Sequence, residues 1–167
     1  MTDRRDDAFD PSIPLGTAVF RSWSSMKNPV MAWLIYLNIL YLFGFFFLDH
    51  DEAMWALVSY VAIGPLIVVM FISQRGLTRL TGLIHLPWLA YVVYLAIRLF
   101  TDWAGAAVDT GDGTFFFYWI QLVFWSTAIC VAFDMWDVYR WTFKRERFVL
   151  GTPAAAASNA SKLARQD

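Results

Sequence analysis

The chain has 167 residues, of which 59% are hydrophobic, 19% aromatic and 16% charged, with a formal net charge of -1. Usage so far from that of soluble domains excludes an ordinary water-soluble globule, and the length leaves room for one domain. One cysteine, Cys130, excludes an intrachain disulfide, and on the same count no thiolate-built metal site is expected.

Residues 1–14 are polar and mixed in charge, and Asp3, Asp6, Asp7 and Asp10 interrupt the basic start, so the segment reads as a disordered, retained tail rather than a secretory signal. From residue 15 to 27 the apolar residues Leu15, Val19, Trp23 and Met26 recur at helical spacing among Arg21, Ser22, Ser25 and Lys27. That pattern predicts a short helix lying in the membrane interface. The alternative is a flexible lead-in anchored by Trp23 alone.

Residues 29–48 form an uncharged run opened by Pro29, whose missing N–H costs nothing in a first helical turn. Its length is that of a first transmembrane span. After the acidic turn Asp49–Glu52, residues 53–73 form a second uncharged run, so the two spans pair as a hairpin. Gly64 and Pro65 sit in its middle, where proline removes a backbone hydrogen bond and predicts a kink. Such a kink can gate a pore or serve as an ordinary packing feature.

A short basic turn with Arg75 and Arg79 leads to a third span, residues 83–100, bearing His85 near its start and Arg98 near its end. Residues 101–114 form an acidic loop. Within it Asp109–Gly113 has a fragment of a calcium-loop pattern but lacks the remaining ligand positions, and reads as a turn. The fourth span covers residues 115–136 and leaves the lipid through Tyr139, Arg140, Trp141, Lys144, Arg145 and Arg147. Residues 151–167, rich in Ala and Ser, are expected to be a disordered tail with no face to bury.

Of the 13 Lys and Arg, all but Arg98 fall in the N-terminal segment, the second connection or the C-terminal segment. The positive-inside rule then predicts an all-α integral membrane protein: four transmembrane helices in an up-down bundle, both termini cytoplasmic, in a bacterial-type inner membrane.

The candidate site lies at the basic end of the fourth helix, where Ser126, Cys130, Asp134 and Asp137 share one face. Carboxylates at the edge of hydrocarbon are costly and look to a partner or to water. His85 enters from the same side at about the level of Asp134, which allows a proton-active or ion-binding set of Asp134, Asp137 and His85. The competing account pairs both aspartates with Arg140, Arg79 or Arg75 as structural locks. Arg98 is expected to pair with Asp102 one turn on, or else to bind an anionic substrate or headgroup. Asn38 and Gln121 are expected to hydrogen-bond between helices, and Ala128 and Ala132 offer a close helix approach.

His50 and His85 fall at opposite ends of their spans and cannot be paired haem ligands, so no cofactor is expected. Asn159–Ala160–Ser161 matches a glycosylation acceptor, but on the predicted cytoplasmic side. The load of nine Trp, fifteen Phe and seven Tyr supplies interfacial belts and leaves aromatic surface for lipid, a pigment, a quinone or another protein. No phosphate loop, nucleophile elbow, HExxH, CxxC or nucleic-acid-binding stripe is present. The expectation is a non-catalytic membrane subunit that packs against itself or a larger membrane partner. The alternatives are a small channel or proton- or ion-coupled transporter using the fourth helix's polar face, and a membrane-embedded enzyme or cofactor-binding subunit.

Overall fold

The computed structural model describes residues 12–101, 114–153 and 155–157, and among these every regular element is a helix. In chain order they are α1 (Leu15–Ser24), α2 (Asn28–Leu42) running into a 3₁₀ turn (Phe43–Phe47), α3 (Asp51–Gln74), a 3₁₀ helix (Arg79–His85) leading into α4 (Leu86–Phe100), and α5 (Thr114–Phe143). Four stretches are long and apolar enough to cross a membrane: Asn28–Phe47, Asp51–Gln74, Arg79–Phe100 and Phe115–Phe143, with mean hydropathies of 2.0, 2.3, 1.7 and 1.7.

Local chemistry explains where these helices begin and end. Pro29 and Pro87 occupy the first turns of α2 and α4, where a missing N–H is harmless. Asp51 and Glu52 open α3 and complement the positive end of its dipole. α3 stops at Arg75, which takes the left-handed conformation with φ 56° and bonds back to Phe71. The following 3₁₀ helix is started by Thr81, whose hydroxyl accepts the Thr78 N–H at 3.0 Å.

α5 is the hub. Half of its most apolar stretch (50%) is buried against 17% for α3, so α3 is the most outward-facing span. Tyr41 and Leu37 of α2, Leu95 of α4, and Ile120, Val123 and Thr127 of α5 are fully buried in one core. Polar bonds tie α2 to α5: Trp119 Nε1 donates to the Leu40 carbonyl at 2.9 Å, and the Tyr36 and Tyr41 hydroxyls meet those of Ser126 and Thr127 at 2.9 and 3.0 Å. At the opposite end from the basic turn, Phe47 packs on Phe116 at 5.3 Å and His50 stacks on the same ring.

Several element boundaries differ from the sequence expectation. The end of the first span winds as 3₁₀, the third begins at Arg79 rather than residue 83, and the fourth stays helical to Phe143, so Asp134, Asp137 and Arg140 all project from one helix. Pro65 lies inside α3, at the position of the expected kink. Among the described residues after Leu150, Thr152 and Ala155 are 3% and 5% exposed, and with Gly151 and buried Val149 they seat the chain on α1 and the turn after α3. The Leu150 N–H donates to the Leu77 carbonyl at 2.9 Å, and the Leu77 N–H donates to Ser22 Oγ at 2.8 Å. α1 is thereby docked through Ala18 and Ser22, both fully buried, with Phe20 outward. Residues 1–11 and the acidic loop with Asp102 lie outside the described residues.

Candidate functional site

The 3₁₀ helix brings His85 to α5 because Gly82 lets the two backbones touch. A Cβ on Gly82 would stand 3.0 Å from Asp134 Cβ and 3.0 Å from the Asp134 carbonyl oxygen. With that approach made, His85 Nδ1 lies 2.7 Å from Asp134 Oδ2. Cys130, one turn earlier on α5, donates its thiol proton to the same carboxylate oxygen at 3.5 Å. The three ligating atoms all fall within 4.8 Å of one another. The side chains of His85 and Asp134 are 14% and 21% exposed, and Cys130 is buried, so the cluster sits just inside the surface.

Asp137 does not join it. It pairs with Arg79, whose Nε lies 3.0 Å from Glu146 Oε2, and Arg140 Nη2 bonds both Glu146 oxygens at 2.8 and 2.5 Å. The result is a four-member ion network that fastens the 3₁₀ helix, the end of α5 and the chain beyond it. The two aspartates expected to act together therefore have separate environments, Asp134 facing His85 and Asp137 facing Arg79. Arg75 donates to the Ile13 carbonyl, which ties down the entry to α1.

Arg98 is held by Glu52, while Asp102, the partner expected from the sequence, lies outside the described residues. The Arg98 Nε and Nη2 both bond Glu52 Oε1, at 2.8 and 2.6 Å, and the Glu52 side chain is only 5% exposed. The start of α3 lies beside the end of α4, which puts Glu52 within reach of Arg98; Tyr91 adds a bond from its hydroxyl to the Glu52 carbonyl at 2.8 Å. Asn38 of α2 accepts a hydrogen bond from Tyr60 of α3 at 2.5 Å. Gln121 is half-buried and has no side-chain hydrogen bond among the described residues; the joints to α5 are made by Ser126, Thr127 and Trp119 instead.

Aromatic stacking continues inward from the site. His85 lies over Trp88 at 4.5 Å, Trp88 over Tyr41 at 4.7 Å, and Tyr41 over Tyr60 at 5.5 Å, with interplanar angles of 7°, 10° and 20°. Beside this column a half-open cavity of about 380 Å³ is lined by Trp23, Leu34, Asn38, Tyr60, Gly64, His85 and Trp88, among others. Trp88 is 3% exposed and its Nε1–H has no acceptor among the described residues. Sequence reasoning missed Glu52, Tyr41, Thr127 and Trp119; each belongs to an apolar or acidic run in which no single residue stands out by type. Comparison of the chain with protein families, with curated proteins and with solved structures finds no match in any of the three.

Proposed function

We propose that this chain is a non-catalytic integral membrane subunit that packs against itself or a larger membrane partner. In this reading its four spans run up and down through a bacterial-type inner membrane. Both ends lie in the cytoplasm, where the basic turn, the ion network and α1 meet the headgroups. One observation carries the proposal: polar side chains between the helices are used to join them. Tyr36–Ser126, Tyr41–Thr127, Tyr60–Asn38 and Arg98–Glu52 each link two elements, so few groups remain to converge on a substrate. The outward face of α3, with Trp55, Val61, Val69 and Ile72 exposed, is then the surface offered to lipid or to a neighbour. Gentle detergent extraction followed by mass determination tests the reading. An assembly larger than one 19.2 kDa chain supports it, and a lone chain at every extraction condition contradicts it.

The second reading, a proton- or ion-coupled transporter, is favoured by the His85–Asp134 contact, in which an imidazole and a carboxylate share a hydrogen bond at the edge of the apolar region. Flux into vesicles reconstituted with the protein, abolished by Asp134→Asn, would place it ahead of the first.

A further inference from the structure

We propose that His85, Cys130 and Asp134 bind a single divalent transition-metal ion of the zinc class. The inference depends on neither functional reading above.

Three observations carry it. The first is the donor set. Imidazole nitrogen, thiolate sulfur and carboxylate oxygen are the ligands that tetrahedral zinc sites use, and Cys130 and Asp134 stand one helical turn apart on one face of α5, the spacing that lets two side chains grip one ion. One cysteine excludes a site made of thiolates alone, but it does not exclude this mixed set.

The second is distance. Donors about 2.0–2.3 Å from a tetrahedral ion stand roughly 3.3–3.6 Å from each other. Cys130 Sγ and Asp134 Oδ2 are already 3.5 Å apart. His85 Nδ1 and Asp134 Oδ2, at 2.7 Å, need to open by about 0.6 Å, and the His85 and Cys130 donors, which lie within 4.8 Å of one another, need to close to about 3.5 Å, both by side-chain rotation. A void of about 10 Å³ bordered by His85, Asp134, Gly82 and Met135 has room for about one water, which would complete the coordination.

The third is charge. Arg79 and Arg140, the arginines of the neighbouring ion network, are engaged by Asp137 and Glu146, and among the described residues no Lys or Arg reaches Asp134. A divalent ion held by one thiolate, one carboxylate and a neutral imidazole is a net-neutral unit, the form cheapest to keep at the edge of hydrocarbon. On binding, the Cys130 thiol proton and the proton shared between His85 Nδ1 and Asp134 Oδ2 give way to the ion and pass to solvent, and His85 coordinates through Nδ1 with its remaining proton on Nε2. Affinity therefore rises with pH as the competing protons leave.

The test uses the full-length protein, purified in detergent, stripped with chelator and titrated with Co²⁺ as a spectroscopic stand-in for Zn²⁺. The expected result is one Co²⁺ per chain. It should bring visible ligand-field bands of a tetrahedral ion and a near-ultraviolet thiolate-to-cobalt charge-transfer band, both removed by added Zn²⁺. Cys130→Ser should lose the charge-transfer band, Asp134→Asn and His85→Ala should lose stoichiometric binding, and Asp137→Asn should keep the whole spectrum. Absence of the charge-transfer band from the wild-type protein overturns the proposal, as does its persistence in Cys130→Ser. Should Cys130→Ser fail to fold, the wild-type spectrum and the Asp137→Asn control still decide the matter.

Discussion

Single residues decide most of the energetics, and the Glu52–Arg98 pair is the clearest case. Both charges sit within an apolar bundle, so removing one strands the other. Arg98→Met should destabilise the protein by about 3–5 kcal/mol, as broken buried ion pairs do, while adding Glu52→Gln should recover most of the loss. Thermal unfolding of the two single variants and the double variant in one detergent measures this, and additive losses would show that the pair is not coupled. Tyr41→Phe removes the hydroxyl bonded to Thr127 and keeps the stack on Trp88, so its cost should be about 0.6–1.7 kcal/mol, the average-to-maximum range of interhelical bonds within membranes. Residue type and level along a helix allowed a His85–Asp134 contact from sequence alone, beside the alternative of arginine pairing for both aspartates. The same reasoning missed Glu52 as the partner of Arg98, because charge counting treats the four residues Asp49–Glu52 as one acidic turn. Only the structure distinguishes the buried Glu52 from Asp49, whose side chain is 79% exposed.

At the level of the elements, uncharged length was the legible quantity. Runs free of charge mark where helices can cross, but they do not mark where helices stop, because a helix end is set by caps and docking. Thus α5 continues past Asp134 to Phe143, since its polar end is stabilised by the Arg79 and Glu146 network, and the third span begins early because Thr78 and Thr81 start a 3₁₀ turn there. The docked segment after Val149 was hidden for a similar reason: its buried residues are small, and Thr152 and Ala155 show no apolar period. Close backbone approaches give this level its tests. Gly82→Ala should push the 3₁₀ helix off α5 and destabilise by about 1–3 kcal/mol, the cost of overpacking, with loss of the His85–Asp134 contact detectable in histidine NMR spectra. Gly64→Ala, with nothing within 4 Å of the added carbon, should be neutral or stabilise α3 by up to about 1 kcal/mol. Gly76→Ala would drive a carbon to 2.5 Å from Val149 Cγ1 and should release the docked C-terminal segment to limited proteolysis.

The whole molecule is apolar on both sides: Leu37, Leu95, Ile120 and Val123 fill its core, tyrosines and hydroxyls add bonds between the helices, and large apolar side chains such as Phe20, Val61, Val69 and Phe143 face outward. An apolar exterior suits a bilayer, where lipid covers apolar surface at no cost and close packing together with interhelical hydrogen bonds holds one helix to the next. The basic residues gather at one end, with the turn after α3, the end of α5 and α1, and the acidic turn lies at the other, with Arg98 held by Glu52 as the exception. Everything proposed for function rests on this arrangement crossing the membrane with its basic end in the cytoplasm. Reporter fusions after residue 1, within the turn at residues 49–51 and after residue 167, assayed in intact cells, test it most directly. Both chain ends should report from the cytoplasm and the acidic turn from the opposite face; ends on opposite faces, or an acidic turn on the same side as both ends, would contradict the account.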